Sequence, residues 1–216
     1  MGTTLTQRLE ACYTGAVHDV MRGLGLKNFV LPKDIQALFP ERTIAGPVFT
    51  VSGSLKPGTD GHETLLAWTG FLSKAPSGHV VVCQPNDDTI AHMGELSAET
   101  LKLRGVAGFV VDGGCRDVSF VDKIGFPVFC RYTTPIDVVG AWTPDVFEQP
   151  IIIGTVTINP GDYIIGDRDG VVIIPGARVE EVITEAERVM ATENKVRTAI
   201  LGGMDPQEAY LEYGKF

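Results

Sequence analysis

No run of lysine or arginine occurs anywhere in the chain, and its 18 basic residues are outnumbered by 27 acidic ones, a formal net charge of -9 at pH 7. Phosphate backbones and anionic membrane surfaces are held by clustered cations, so this balance argues against a nucleic-acid or membrane-surface partner. No apolar run approaches the roughly 18 residues that span a bilayer, and the start, MGTTLTQRLEACYTGAV, lacks the apolar stretch of a secretory signal. It does match the short acylation pattern M-G-x-x-x-[ST] at Gly2, but nothing basic follows, and so short a pattern recurs by chance. The four cysteines, Cys12, Cys83, Cys115 and Cys130, show neither C-x-x-C nor Cys/His metal spacing. Cys83 and Cys130 close apolar β-like runs, the usual setting of a buried free thiol, so a reducing, cytoplasmic location is expected. Internal repeats and low-complexity tracts are also missing.

What remains is an ordinary globular composition, 44% apolar and 21% charged over 216 residues, which suits one domain spanning 1–216 with terminal elaborations. The pattern predicts a helix over 3–24 ending at the glycines of RGLG, a strand over 46–53 and a helix over 59–75. A β-α-β unit follows: strand 79–84, helix 94–105 closed by glycine, and strand 106–112, with a further strand at 126–131. From 150 the segment PIIIGTVTINPGDYIIGDRDGVVIIP reads as three β-rich runs separated by the turn sequences NPGD and DRDG. A long helix over 177–201 and a short tail complete an α/β chain.

Crossovers between parallel strands are right-handed, so strands 79–84 and 106–112 run parallel and their carboxyl ends share one edge of the sheet. Ligands of open α/β sheets bind at such an edge. There Gly94-Glu95-Leu96-Ser97 opens a helix, and Asp112-Gly-Gly-Cys-Arg-Asp117 follows a buried strand. The first helical turn offers free N–H groups and the positive end of a dipole to a carboxylate or phosphate, and Gly94 lets a ligand approach the backbone. Arg116 presents a planar fork of donors, Asp117 a hard oxygen ligand and Glu95 a second acid. Such a set suits a 2-oxo acid chelated to Mg²⁺ or Mn²⁺, ions that keep much of their water. The plainer account is that Glu95 complements the helix dipole and that Arg116 and Asp117 form a turn pair.

The stretch GELSAETLKLRGVAGFVVDGGCRD resembles the signature of the family that includes the regulator of ribonuclease activity A and the class II 4-hydroxy-4-methyl-2-oxoglutarate aldolases. The likeness continues through TPIDVVGAW and VTINPGDYIIGDRDGVVIIP, and more faintly through GPVFTV. It implies a single β/β/α layered, swivelling-domain-like mixed sheet with a long C-terminal helix, assembled as a homotrimer or homohexamer with segment 176–216 near a subunit interface. It implies a pyruvate-releasing lyase needing a divalent cation, with oxaloacetate decarboxylation as a side activity. By the same resemblance the backbone at 94–97 and Arg116 hold the pyruvyl group, and Asp117 holds the metal, partly through water. The aldolases usually carry aspartate where this chain has Glu95, which puts the reach of that arm in doubt. The regulator branch, a catalytically silent alternative, does not keep the aspartate found here at 117. A decarboxylase or dehydratase of another 2-oxo acid is a third reading.

The resemblance also points to an acid near the C-terminus, given by a neighbouring subunit. Val179, Ile183, Ala186, Met190, Glu193, Arg197 and Ile200 fall on one stripe of the long helix, and Glu193 is a charge within its apolar part. Its simpler use is an i,i+4 pair with Arg197. In a retro-aldol step Glu95 or Glu193 would orient the water that takes the C4 hydroxyl proton, while Arg116 stabilises the enolate. Cys115 is the competing nucleophile, with His92 or His79 as its base, although no cysteine-enzyme signature surrounds it. His92 otherwise serves its loop, DRDG (167–170) is more simply a turn than a metal motif, and Trp68 and Trp142 are read as packing or interface residues.

Overall fold

The structure, a computed structural model, describes residues 3–216, so Gly2 of the acylation pattern lies outside the described residues. In chain order it runs α1 (Leu5–Glu10), α2 (Thr14–Gly23), β1 (Gln36–Ala37), β2 (Ile44–Leu55), α3 (Gly61–Lys74), β3 (Val80–Gln84), α4 (Glu95–Leu103), β4 (Gly108–Val111) and β5 (Gly114–Cys115). Then come α5 (Val118–Ile124), β6 (Val128–Cys130), β7 (Tyr132–Thr133), β8 (Trp142–Phe147), β9 (Ile151–Ile153), β10 (Val156–Ile158), β11 (Tyr163–Asp167), β12 (Gly170–Ile174), α6 (Val179–Leu201) and α7 (Pro206–Tyr213).

The β-α-β reading holds: β3 lies parallel between β2 and β4, and β6 extends the parallel set beyond β4. Both β3 and β4 are almost wholly apolar because helices or strands cover each face. Antiparallel strands flank this centre, with β1 on β6, β11 on β2 and β12 on β11, and the result is a nearly closed mixed sheet. The twelve residues of β2 serve several partners, since its C-terminal half pairs with β8 after a register shift at Ser52/Gly53. Gly53 is required there: a Cβ would sit 2.1 Å from the Trp142 ring and 2.3 Å from the Thr143 carbonyl.

Three apolar clusters hold the layers together. One lies under α3, α4 and α5 and includes Phe71, Leu101, Phe109 and the fully buried Trp142. The second fills the interior of the curled sheet with Val80, Val82, Val110, Ile153 and Ile173. The third joins α1, α2 and α6 to the outer face through Leu9, Met21, Ile165 and Ile183. Each such side chain contributes about 1.5–3 kcal/mol by leaving water.

Several expectations change. The helix predicted over 3–24 is two helices, because α1 ends at Glu10 and α2 starts at Thr14. Tyr13 gives α2 no side-chain cap, and Asp167 from the β11–β12 turn takes that role, accepting from the Thr14 N–H and hydroxyl at 2.8 Å each. A partner 153 residues away leaves no mark in the local pattern. The first of the three β-rich runs after 150 is itself a hairpin, β9–β10, turned at Gly154 where φ is 61°. The stripe on α6 is buried as far as Ala186; beyond it Glu193 is half-buried, Arg197 exposed, and Val196 takes the inward place. No helix among the described residues is long and apolar enough to cross a membrane.

Candidate active site

Backbone and side chain together stitch the two segments at the carboxyl edge of β3 and β4. The Arg116 N–H donates to the Met93 carbonyl at 2.8 Å, and Asp117 Oδ2 accepts from the Glu95 N–H at 3.1 Å. Gly94, the N-cap residue of α4, has no side chain to offer, so Asp117 caps α4 from across the edge. Among the described residues the N–H groups of Leu96 and Ser97 have no hydrogen-bond acceptor, leaving a helix start with two open donors.

These groups line a cavity of about 700 Å³ into which Glu95, Leu96, Ser97, Arg116 and Asp117 all face. The Arg116 Nη1 donates to Asp137 Oδ2 at 3.0 Å, and its Nε lies 3.4 Å from Asp117 Oδ2. The arginine thus stands between two carboxylates with its side chain 36% exposed, fixed in direction yet open to a ligand. Asp137 itself is held by the Val139 N–H at 3.1 Å. Trp68 from α3 borders the same cavity and donates its indole N–H to Ser97 Oγ at 2.9 Å. Ser97 therefore offers its backbone N–H to the cavity while its side chain steadies the wall.

One detail corrects the sequence reading. Gly94 was expected to make room for a ligand, but the space of its missing Cβ is taken by the chain itself: a Cβ would lie 2.7 Å from Asp117 Oδ2 and 3.2 Å from Arg116 Cγ. Gly113 and Gly114 likewise give room to neighbours, since Cβ atoms there would meet His92 Nδ1 at 2.7 Å and the Tyr132 ring at 2.5 Å. Asp117 adopts a left-handed backbone, φ 56° and ψ 33°, at the N-cap of α5, and makes no side-chain cap on that helix. Aspartate and asparagine tolerate this conformation better than other non-glycine residues, and such strain is concentrated at functional positions.

The donor set constrains any cation. No group of three or more His, Cys, Asp or Glu side chains able to hold a metal occurs among the described residues. Asp117 offers one carboxylate, 37% exposed, with Glu95 and Asp137 beside it on the cavity wall. One hard oxygen ligand and open space fit a hydrated Mg²⁺ or Mn²⁺, and do not fit a zinc-type cage.

The other candidates separate clearly. Cys115 is fully buried, and burial pushes its thiol up to about 12, so no thiolate forms near neutral pH. His79 bonds the Ser77 carbonyl at the opposite end of β3. His92 borders the cavity but is wholly buried, with Nε2 3.5 Å from Asp87 Oδ2 and its ring edge-on to Trp142 at 5.0 Å. Burial pushes its pKa down to about 4 against the pull of Asp87. Neither ring nitrogen makes a hydrogen bond. Asp87 accepts from the Thr89 hydroxyl and N–H and the Ile90 N–H, which together outweigh the upward push of burial and hold it ionised.

Asp112, the first residue of DGGCRD, faces away from the cavity and pairs with Arg131, which also binds Asp34. Glu193 does not line the cavity; it accepts from the Tyr13 hydroxyl and lies 3.3 Å from Lys215 Nζ. The expected Glu193–Arg197 pair is absent, because Arg197 turns to Asn194. DRDG is a turn as expected, Trp142 is a packing residue, and Trp68 is both packed and part of the cavity wall. Asp137 was missed: it lies within TPIDVVGAW, but nothing local marks it as the arginine's partner.

The sequence pattern of the RraA-like family, described as Aldolase/RraA, matches residues 14–173. Protein DlpA of Legionella pneumophila is 30% identical over 97% of the chain, which spans only 34% of that protein's length. A Halalkalibacterium halodurans protein named "Putative 4-hydroxy-4-methyl-2-oxoglutarate aldolase" is 32% identical over 87% of the chain and 85% of its own length. The crystal structure of Streptomyces coelicolor RraAS2, described as an unusual member of the RNase ES inhibitor RraA protein family, superposes with a TM-score of 0.80 at 26% identity, covering 91% of this chain and 97% of that one.

Proposed function

The chain belongs to the RraA-like family, and from that premise we propose that it is a divalent-cation-dependent lyase that cleaves a 4-hydroxy-2-oxo acid by retro-aldol reaction and releases pyruvate. The observation that carries this reading is the stitched pair of segments: open N–H donors at Leu96 and Ser97, Arg116 held between two carboxylates, and Asp117 facing the same cavity. The left-handed backbone of Asp117, φ 56°, supports this reading, because strained non-glycine residues are concentrated at functional positions.

The substrate carboxylate is received by the Leu96 and Ser97 N–H groups at the positive end of α4. The Arg116 fork faces the keto oxygen and the carboxylate, and Asp137 keeps that fork from swinging away. Asp117 would hold the cation, with Glu95 beside it; when bound, the cation withdraws electron density from the keto group. Removal of the C4 hydroxyl proton sends the C3–C4 bonding pair toward C2, giving a carbonyl product from C4 and the enolate of pyruvate, which is then protonated at C3. Glu95, on the cavity wall, orients the water that accepts and returns this proton. The enolate's charge falls beside Arg116, where preorganised donors act most strongly. Decarboxylation of oxaloacetate produces the same enolate and is the expected side reaction. Glu193 enters this scheme only from a second copy in a homotrimer or homohexamer, since its own chain places it elsewhere.

The test is Asp117→Asn, which preserves the tolerance for a left-handed backbone and removes the charge. Pyruvate release from 2-oxo acids with Mg²⁺ or Mn²⁺, coupled to lactate dehydrogenase, should fall by at least about a hundredfold while the melting temperature stays within a few degrees. Turnover equal to that of the unaltered chain would sink the proposal. Absence of both cation binding and lyase activity in the unaltered chain would favour a silent binding protein instead.

A further inference from the structure

One hydroxyl on the cavity wall is held differently from its neighbours. Thr69 Oγ1 donates to the Leu65 carbonyl at 2.8 Å and Thr100 Oγ1 to the Leu96 carbonyl at 2.7 Å, so each gives its proton to the preceding helical turn. Ser97 does the reverse. Its Oγ accepts the Trp68 indole N–H at 2.9 Å, and among the described residues its own proton goes to no acceptor. The carbonyl one turn back, that of Met93, already receives the Arg116 N–H at 2.8 Å. Ser97 is half-buried and is the third residue of α4. Side chains of a helix lean toward its N-terminus, so this hydroxyl lies toward the turn where the Leu96 and Ser97 N–H groups are open.

Trp68 is a rigid donor. It is 7% exposed and packs edge-on against Phe71 at 5.2 Å and Trp142 at 5.9 Å. Trp142 is in turn pinned by its own indole N–H, which reaches the Pro85 carbonyl at 2.7 Å. An indole nitrogen donates and never accepts, so Trp68 can only occupy a lone pair on Ser97 Oγ. The hydroxyl proton is thereby directed away from the aromatic stack, beside the cavity that both residues line.

We propose that the Ser97 hydroxyl is a third donor to the carboxylate of the bound acid, beside the two backbone N–H groups, and that Trp68 is the positioning residue that aims it. The inference rests on the lyase reading above for the identity of the ligand as a 2-oxo acid. Three donors at one helix start suit a carboxylate, whose two oxygens accept several hydrogen bonds, and a hydroxyl already oriented loses little freedom when the ligand arrives. The carboxylate keeps its charge throughout the cleavage. This bond therefore serves substrate and transition state alike, and its loss falls on KM.

Calorimetric titration with pyruvate in Mg²⁺ compares the unaltered chain, Ser97→Ala, Trp68→Phe and the double variant. Ser97→Ala, which places a better helix former at a half-buried position, should bind pyruvate about tenfold more weakly. Trp68→Phe should weaken binding by about threefold while the serine is present and leave it unchanged in the Ser97→Ala chain, where no hydroxyl remains to be aimed. An equal loss from Trp68→Phe in both backgrounds shows a packing role and overturns the positioning claim. Undiminished binding by Ser97→Ala, as when the hydroxyl gives its proton to a neighbouring subunit, overturns the whole inference, and so does failure of the unaltered chain to bind pyruvate. In cleavage of a 4-hydroxy-2-oxo acid the Ser97→Ala loss should appear in KM; a loss in kcat alone would assign the hydroxyl to proton transfer and overturn its role at the carboxylate. Pyruvate binding that depends on Ser97, in a chain that cleaves no 4-hydroxy-2-oxo acid, supports the donor and refutes the lyase reading.

Discussion

Replacing Gly94 with alanine tests the geometry of the site through a single methyl group. The backbone there, φ -153° and ψ -175°, is extended and open to any residue, so the change adds no conformational strain. The new Cβ would lie 2.7 Å from Asp117 Oδ2, whereas a relaxed carbon–oxygen contact is about 3.3 Å, so the carboxylate must withdraw by about 0.6 Å. Its bond from the Glu95 N–H, 3.1 Å long, then stretches beyond hydrogen-bonding range. Losing a half-exposed charged hydrogen bond and a good N-cap costs about 1–2 kcal/mol. For a chain of this size that lowers the melting temperature by roughly 2–8 °C. A shift of that size at the reacting centre should reduce kcat by at least about tenfold. The control is Gly70→Ala in α3, where nothing lies within 4 Å of the added methyl, and which should raise stability by about 0.5–1 kcal/mol. Thermal melting and the pyruvate-release assay read both variants. A Gly94→Ala chain with unaltered melting and turnover would refute the claim that the missing side chain sets the position of Asp117.

Gly53→Ala should abolish stable folding or lower stability by about 3 kcal/mol or more, because the methyl meets both the Trp142 ring and the rigid Thr143 carbonyl; urea unfolding measures it. His92 has a folded pKa of about 4 below its ordinary 6.5, so on acidification the unfolded chain binds the proton first. Its contribution to stability is complete above pH 6.5 and lost as pH falls to about 4, a total of about 3 kcal/mol, and the urea midpoint of a His92→Gln chain should depend less on pH across that window. Cys115→Ala should keep full pyruvate release, and Cys83, Cys115 and Cys130 should react with a thiol reagent only after unfolding. If Glu193 reaches a neighbouring site, co-assembly of Arg116→Ala and Glu193→Ala subunits restores activity that neither has alone; silence in the mixed assembly removes Glu193 from the reaction.

The sequence made legible whatever is written in local periodicity. The parallel strands β3 and β4, the glycine-closed α4 and the long α6 follow from apolar runs and turn residues, and these alone place Glu95, Arg116 and Asp117 on one edge. What it hid are pairings made across the chain. Asp167 capping α2, Asp137 holding Arg116 and Tyr13 bonding Glu193 each join residues far apart, and no local pattern records such a partner. The glycines were visible, but their reason was not, because the atoms that would collide with a side chain come from elsewhere in the fold.

The left-handed backbone of Asp117 has a consequence for how this protein can change over generations. Most replacements at this position strain the turn as well as remove the carboxylate, so under the proposed role loss of chemistry and loss of shape would arrive together. Asparagine is the exception, and its codons differ from those of aspartate by one base. A single point mutation thus leads from a charged site to a neutral copy of nearly the same form, free to be selected for binding alone. The family's members include one named as an aldolase and another described with ribonuclease inhibitors, and under the role proposed for Asp117 a change at residue 117 would separate a catalytic from a binding form without the fold being rebuilt.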